Sequence, residues 1–169
     1  AGGGVDQPML DGRPVTSINA DLTASSADIT TAKHLTENEN ICFMGPSPKA
    51  PFDIDEATAR KLLDGKNSSG LSNSDVVRPV FSAVDVARTS RNEWTIYFGT
   101  DMSEAEAARY EMPFEYVKSN VLPVRLKSKQ TDREKALWWL YARPRPELFN
   151  ALKNKSRFIT TPAVAKHRV

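Results

Sequence analysis

Trp94-Thr-Ile-Tyr-Phe98, stopped by Gly99, is the stretch that decides the fold. Its residues are aromatic or β-branched, its bulky positions alternate, and a glycine closes it, which together predict a strand. Upstream, Val76-Val77, Val80-Phe81, Val84 and Val86 form an interrupted β-like stretch in which Pro79 argues for an edge or a bulge rather than a central position. Further out, Ile41-Cys-Phe-Met44 followed by Gly45-Pro-Ser-Pro48 reads as a short buried strand ending in a turn. Arg157-Phe-Ile-Thr160 is a fourth candidate strand.

Helices are expected between these strands. Asp55 is a good N-cap for residues 56–63, with Ala59, Leu62 and Leu63 near helical spacing and Gly65 as a stop. Ser103-Glu-Ala-Glu106 matches a capping box, so a helix should run to about Tyr110. Pro113 suits a first turn, and residues 113–121 place Phe114, Val117 and Val121 on one face. Thr131 to Glu134 repeats the capping pattern ahead of Ala136-Leu-Trp-Trp-Leu-Tyr141, again helix-like, and a short helix is expected near residues 147–152. The segment from Gly2 to about Asn40 is polar and reads as mostly irregular. The fold class expected is α+β, a small, mainly antiparallel sheet flanked by four or five short helices.

A chain of 169 residues suits one compact domain, and 40% hydrophobic with 26% charged residues suits a globular one. No apolar run approaches the roughly 18 residues that a spanning helix needs. A membrane role is therefore not expected. Residues 1–9, beginning Ala1-Gly-Gly-Gly4, carry no secretory pattern and are expected to be a disordered lead-in or a cloning remnant. Cys42 cannot form an internal disulfide alone, and its apolar neighbours suggest a buried thiol in a reducing cytoplasm.

The net charge of +2 conceals an asymmetry. Residues 1–117 hold 10 Lys and Arg against 18 Asp and Glu, a balance of −8; residues 118–169 hold 13 against 3, a balance of +10. Two readings follow. The basic third can address a polyanion, since each cation near a phosphate releases condensed counterions, or the two segments can neutralise each other inside the fold.

Catalytic motifs are missing. The sequence has no glycine-rich methyl-donor turn, no (Asn/Asp/Ser)-Pro-Pro-aromatic loop, no phosphate-binding loop, no paired Cys or His metal spacing and no nuclease signature. His34 and His167 are far apart in sequence without a nucleophile motif between them and read as surface or core residues. What remains resembles a binding profile. Lys66-Asn-Ser-Ser-Gly-Leu-Ser-Asn-Ser-Asp75 is a polar loop that offers Asn67, Ser69 and Asn73 to a base edge. Pro144 and Pro146 bracket Arg143 and Arg145, lowering the entropy lost when guanidinium groups are placed on phosphate or guanine; a proline-rich connector with solvated arginines fits equally. Trp138 and Trp139 can stack on a base, but adjacent tryptophans on a helix point about 100° apart, which favours the core. Lys166, His167 and Arg168 read either as a phosphate clamp or as exposed strand residues.

Several words of the sequence, in order, resemble one family. They are Asn73-Ser-Asp-Val-Val-Arg-Pro79, Trp94-Thr-Ile-Tyr-Phe-Gly99, Met102-Ser-Glu-Ala-Glu-Ala107, Tyr110-Glu-Met-Pro-Phe-Glu-Tyr-Val-Lys118, Trp138-Trp139, Arg143-Pro-Arg-Pro146 and Phe158-Ile-Thr-Thr-Pro-Ala-Val-Ala-Lys-His-Arg168. Upstream, Asp11-Gly-Arg-Pro-Val15, Ile18-Asn-Ala-Asp-Leu22 and Phe43-Met-Gly45 extend the likeness. The chain resembles the target recognition domain of MmeI-type single-chain restriction-modification enzymes from about Leu10 onward. That resemblance implies a methyltransferase target-recognition-domain-like fold over residues 10–169, as a fragment of a longer chain. It implies double-stranded DNA and the parent's methyltransferase domain as partners. The parent would transfer a methyl group from S-adenosylmethionine to adenine N6, and a nuclease activity is open. No cofactor, metal or catalytic residue is expected in this chain itself.

The expected mechanism divides the contacts. Asn67, Ser69, Asn73, Arg143 and Arg145 are the candidates for base edges. Lys127, Lys129, Lys153, Lys155, Arg157, Lys166, His167 and Arg168 are the candidates for phosphates. The alternative is a structural or protein-interaction domain of the same parent that makes no base contacts.

Overall fold

The computed structural model describes residues 7–20, 22–24, 33, 35–87, 89–129 and 131–163. His34, Lys166, His167 and Arg168, and the opening Ala1-Gly-Gly-Gly4, lie outside the described residues. The chain divides into two compact units, Ala1–Cys42 and Phe43–Val169.

The first unit contains a small hairpin. Strands β1 (Met9–Leu10) and β2 (Arg13–Pro14) pair antiparallel, with Met9 opposite Pro14 and Leu10 opposite Arg13. Asp11 and Gly12 between them both have positive φ, 49° and 75°. Two central residues with φ above zero make the turn that matches strand twist, and Asp-Gly is a preferred dipeptide for it. A 3-10 turn lies at Thr36–Asn38. Residues 41–44 are a correction: they form no strand, Ile41 and Met44 are 70% and 60% exposed, and the Cys42 thiol is exposed rather than buried. The run is apolar but pairs with no strand among the described residues.

The second unit is built on a three-stranded antiparallel sheet of order β3-β5-β4, with β3 at Asp53–Ile54, β4 at Val77–Pro79 and β5 at Trp94–Ile96. The deciding stretch is thus its central strand. Asp53 faces Thr95 and Ile54 faces Trp94; on the other side Val77, Arg78 and Pro79 face Ile96, Thr95 and Trp94. Pro79 sits on an edge strand, where a missing N–H leaves no ladder bond unmade. The β-like pattern of residues 80–86 does not continue the strand: Ser82 donates its N–H and Oγ to Asp85, and helix α2 (Ala83–Ala87) forms instead. Residues 157–160 also form no strand and are exposed, a second correction.

Seven short α-helical segments accompany the sheet among the described residues, in keeping with the small α+β fold expected. Helix α1 (Glu56–Asp64) begins where Asp55 accepts the Thr58 N–H at 2.7 Å and ends at Gly65. Capping boxes at Ser103/Glu106 and Thr131/Glu134 open α3 (Glu104–Ala107) and α6 (Asp132–Ala136). Helix α4 (Glu111–Asn120) buries Pro113, Phe114 and Val117; α5 (Leu122–Lys127) follows at once, and α7 (Pro146–Leu152) comes last. Residues 137–141 are not helical. Leu137 breaks α6 with ψ 46°, and turns carry Trp138 and Trp139 into the core, where the Trp139 indole donates to the Met102 carbonyl at 2.9 Å.

The core of this unit joins both faces of the sheet. Phe52, Ile54, Ala59, Leu62, Val76, Val77, Ile96, Phe98, Phe114, Val117 and Val121 are buried together with Trp138, Trp139, Leu140 and Tyr141. Phe98, Phe114 and Trp138 meet in sequence at ring distances of 6.3 and 5.3 Å. A cation is buried with them. Arg125 is fully buried, and its Nη2 donates to the Pro48 and Leu140 carbonyls at 2.8 and 3.1 Å while the guanidinium lies 5.9 Å from the Phe52 ring centre. Burial lowers its pKa from the ordinary value, and the charge of Glu134 works against that shift.

Candidate nucleic-acid interface

The 67–75 loop is polar, as its composition requires, but its asparagines turn inward. Asn67 Nδ2 donates to the Leu71 carbonyl and to Asn73 Oδ1 at 2.8 and 2.7 Å, and Asn67 Oδ1 accepts the Glu111 N–H at 2.9 Å. Asn73, 1% exposed, donates through Nδ2 to the Leu62 and Gly65 carbonyls at 2.7 and 3.1 Å. Both amides are consumed in holding the loop onto the end of α1 and the start of α4. A base edge would have to break these bonds to reach them, which argues against Asn67 and Asn73 as base readers. Ser69 is exposed and donates to the Arg109 carbonyl. Ser68 binds Glu111 through its hydroxyl and its N–H, and these bonds hold the Glu111 carboxyl below its ordinary pKa.

Gly65 is set by the same packing. A Cβ there would displace the Met112 thioether and lie 3.2 and 3.3 Å from the Leu62 carbonyl and the Asn73 amide, so glycine gives α1, the loop and α4 their close approach.

The Arg143-Pro-Arg-Pro146 segment is held firmly. Arg143 and Ser47 exchange backbone bonds, Ser47 N–H to Arg143 at 2.9 Å and Arg143 N–H to Ser47 at 3.1 Å, while the Arg143 side chain stays exposed. Arg145 caps α7 in the left-handed region, φ 57° and ψ 58°. That conformation costs a non-glycine residue about 1–2 kcal/mol. Its Nη1 lies 3.6 Å from Glu147, and its buried Nε has no hydrogen-bond partner among the described residues. The fork is therefore half-buried, strained in its backbone and incompletely satisfied.

The remaining phosphate candidates among the described residues are at the surface. Lys127 ends α5 and Lys129 follows it, and Lys153, Lys155 and Arg157 follow α7; all are exposed. With Arg133 on α6 and Arg143 they share a property: none has a carboxylate within 4.0 Å among the described residues. The charge of Arg143 helps lower the Glu134 pKa, and Arg133, Glu134 and Pro144 line one small cleft with Thr100, so α6 and the Arg143 segment are neighbours. The ion pairs of the acidic two-thirds are made within it, Arg60 with Glu56 and Arg91 with Asp85 and Glu93. Among the described residues the one salt bridge between the acidic and basic segments is the local pair of Lys118 with Glu115 at 3.7 Å, three residues apart at their boundary.

A cavity of about 410 Å³ opens beside the β4 to β5 connection, lined by Glu56, Pro79, Val80, Phe81, Ser90, Asn92, Glu93 and Trp94. None of the sequence-derived candidates lines it. No group of three His, Cys, Asp or Glu side chains among the described residues is placed to hold a metal ion, and no described helix is long and apolar enough to cross a membrane. Sequence reasoning passed over two arginines that the fold singles out, Arg125 and Arg78. Arg125 carries no local signal of its burial. Arg78 did carry one, since it precedes an edge-strand proline and alternates with buried Val77. Comparison with protein-family models, with curated proteins and with solved structures finds no match.

Proposed function

We propose that this chain is a double-stranded DNA recognition module, the target recognition domain of a restriction-modification adenine methyltransferase. The observation that carries the reading is the set of exposed cations Lys127, Lys129, Arg133, Arg143, Lys153, Lys155 and Arg157, which no carboxylate matches among the described residues. Unmatched exposed cations repel one another, and a phosphate backbone offsets that repulsion while releasing counterions. The ordered words shared with MmeI-type enzymes support the same reading. In this reading Arg143 and Arg145 read base edges, Ser69 is a lesser candidate, and the lysines set the register on phosphates. The chain has no catalytic role of its own; methyl transfer from S-adenosylmethionine belongs to the parent's methyltransferase domain, in the cytoplasm.

The experiment is a fluorescence anisotropy titration against duplex DNA over a salt series. Each phosphate neutralised should contribute a slope of about −0.9 in log affinity against log salt. A flat salt response, or no binding at low salt, rejects the reading. Calorimetry with S-adenosylmethionine should show no heat of binding.

A second reading has its own support. Leu126, Phe158 and Ile159 are 60%, 64% and 98% exposed, apolar side chains that contact with a neighbouring domain would remove from water. It predicts an assembly partner and no salt-dependent DNA affinity.

A further inference from the structure

Among the arginines of the acidic two-thirds, Arg60 and Arg91 are matched by nearby carboxylates. Arg78 is not. It is exposed on edge strand β4 and has no carboxylate within 4.0 Å among the described residues. Its guanidinium is nonetheless fixed, because Nε and Nη2 both donate to the Asp75 carbonyl at 3.0 and 2.8 Å. One edge of the fork is thereby held by backbone, and Nη1 on the other side makes no described hydrogen bond.

The register decides what lies beside it. Arg78 stands directly opposite Thr95, and directly opposed residues share a sheet face. On that face Thr95 Oγ1 is hydrogen-bonded to the Tyr141 hydroxyl. Tyr97, two residues on, meets Tyr141 edge-on at 5.0 Å and stacks on Phe149 of α7 at 5.4 Å. The Tyr97 hydroxyl donates to the Pro144 carbonyl at 3.4 Å, and Pro144 lies between Arg143 and Arg145. Burial pushes the Tyr97 phenol up to about 12, and the positive charge of Arg78 works against that shift. Strand β4 and the proline-bracketed segment are thus linked through Tyr97, which feels the Arg78 charge and bonds the Pro144 carbonyl, though 64 or more residues separate them in sequence.

We propose that Arg78 is a third nucleic-acid-contacting arginine, set by β4 beside the Arg143 and Arg145 segment, and that its outward guanidinium edge binds a backbone phosphate of the duplex. The inference rests on the DNA-recognition reading and names a contact within it. An arginine already immobilised by a carbonyl loses less side-chain entropy on binding than a free one, and its planar fork suits phosphate oxygens. Because the contact is to phosphate, it adds affinity for all sequences rather than discrimination among them.

The test uses the whole chain and a fluorescein-labelled random-sequence duplex, titrated at several salt concentrations. Arg78→Gln removes the charge but keeps a donor for the Asp75 carbonyl, so the thermal midpoint should hold while the salt slope shrinks in magnitude by about 0.9. Arg78→Lys keeps the charge and should retain most of the slope. Arg60→Ala, which removes a cation already matched by Glu56, should leave the slope unchanged. Salt-dependent binding by the wild type with an unchanged slope in Arg78→Gln overturns this inference and leaves the recognition reading standing. Absence of salt-dependent binding by the wild type overturns both. An equal loss of slope in Arg60→Ala shows that any cation counts, and also overturns the assignment to Arg78.

Discussion

Asn73 Nδ2 donates to the Leu62 carbonyl at 2.7 Å, tying a loop that looks built for outside contacts to the last turn of helix α1. The same amide reaches Gly65, and its oxygen accepts from Asn67. Asn73→Ala should therefore destabilise the fold by about 2 kcal/mol, since it leaves the Gly65 carbonyl unmatched and weakens the Asn67 anchor. Asn73→Asp should be no better, because a carboxylate would face two carbonyl oxygens. Thermal unfolding measures both. A base-reading Asn73 would instead show full stability and altered sequence preference on replacement by alanine.

Arg125 makes a related prediction in the core. Its guanidinium joins the Pro48 and Leu140 carbonyls, which are far apart in sequence, against the Phe52 ring. Arg125→Met preserves most of the volume and removes the donors, so both carbonyls lose a partner and stability should fall by roughly 3 kcal/mol. In urea unfolding the midpoint should drop with an unchanged slope, as expected when the native state is weakened without altering the denatured one. DNA affinity measured well below the unfolding range should be preserved, because this cation is not at the surface.

These two residues also mark how far the sequence could be read. Asp55, Ser103 and Thr131 act within three residues of themselves, so their caps were legible, and so was the strand at Trp94–Ile96, whose alternation matches its role at the centre of the sheet. Asp11-Gly12 carried an equally local hairpin signal that the polar composition around it masked. The burial of Asn67, by contrast, depends on Glu111, 44 residues away, and that of Arg125 on Pro48, 77 residues away. A polar loop and a basic run look the same in sequence whether their side chains face solvent or carbonyls. The aromatic pair Trp138 and Trp139 was read as core and is buried, but the helix expected there gives way to turns that serve indole packing. Residues 41–44 and 157–160 had strand composition without a strand to pair with, and composition does not report a missing neighbour.

Acid stability follows from the two capping-box glutamates and from Glu111, which anchors Ser68. The Ser103 hydroxyl on Glu106, the Ser68 hydroxyl on Glu111 and the Thr131 N–H on Glu134 hold all three carboxyls below their ordinary value of 4.5. In the window between the folded and unfolded values the unfolded chain binds more protons, so stability rises with pH there. The contribution is complete above about pH 4.5 and is lost as pH falls through the lower folded values. A triple glutamine variant at these positions keeps the side-chain acceptors of the capping boxes and loses the titration. Its melting temperature should decline less steeply below pH 4.5 than that of the wild type, which a thermal scan across acid pH measures.

Arg145 separates folding from binding most cleanly. Its φ of 57° lies where glycine is comfortable and a β-branched residue is not, and proline on each side limits escape from that conformation. Arg145→Gly relieves backbone strain but gains entropy in the unfolded chain, and it removes only a loose ion pair to Glu147, so stability should stay within about 1 kcal/mol of wild type. Arg145→Val should destabilise by more than about 1 kcal/mol, since Cβ branching worsens the left-handed clash. If Arg145 reads a guanine edge through two hydrogen bonds, Arg145→Gly should nonetheless cost a good site about 1–3 kcal/mol of discrimination while non-specific affinity falls by one charge. Competition between cognate and random duplexes measures that difference. A strained, incompletely satisfied arginine that can be replaced by glycine with the fold intact and discrimination unchanged would be structural only, and the base-reading assignment would then have to move to Arg143.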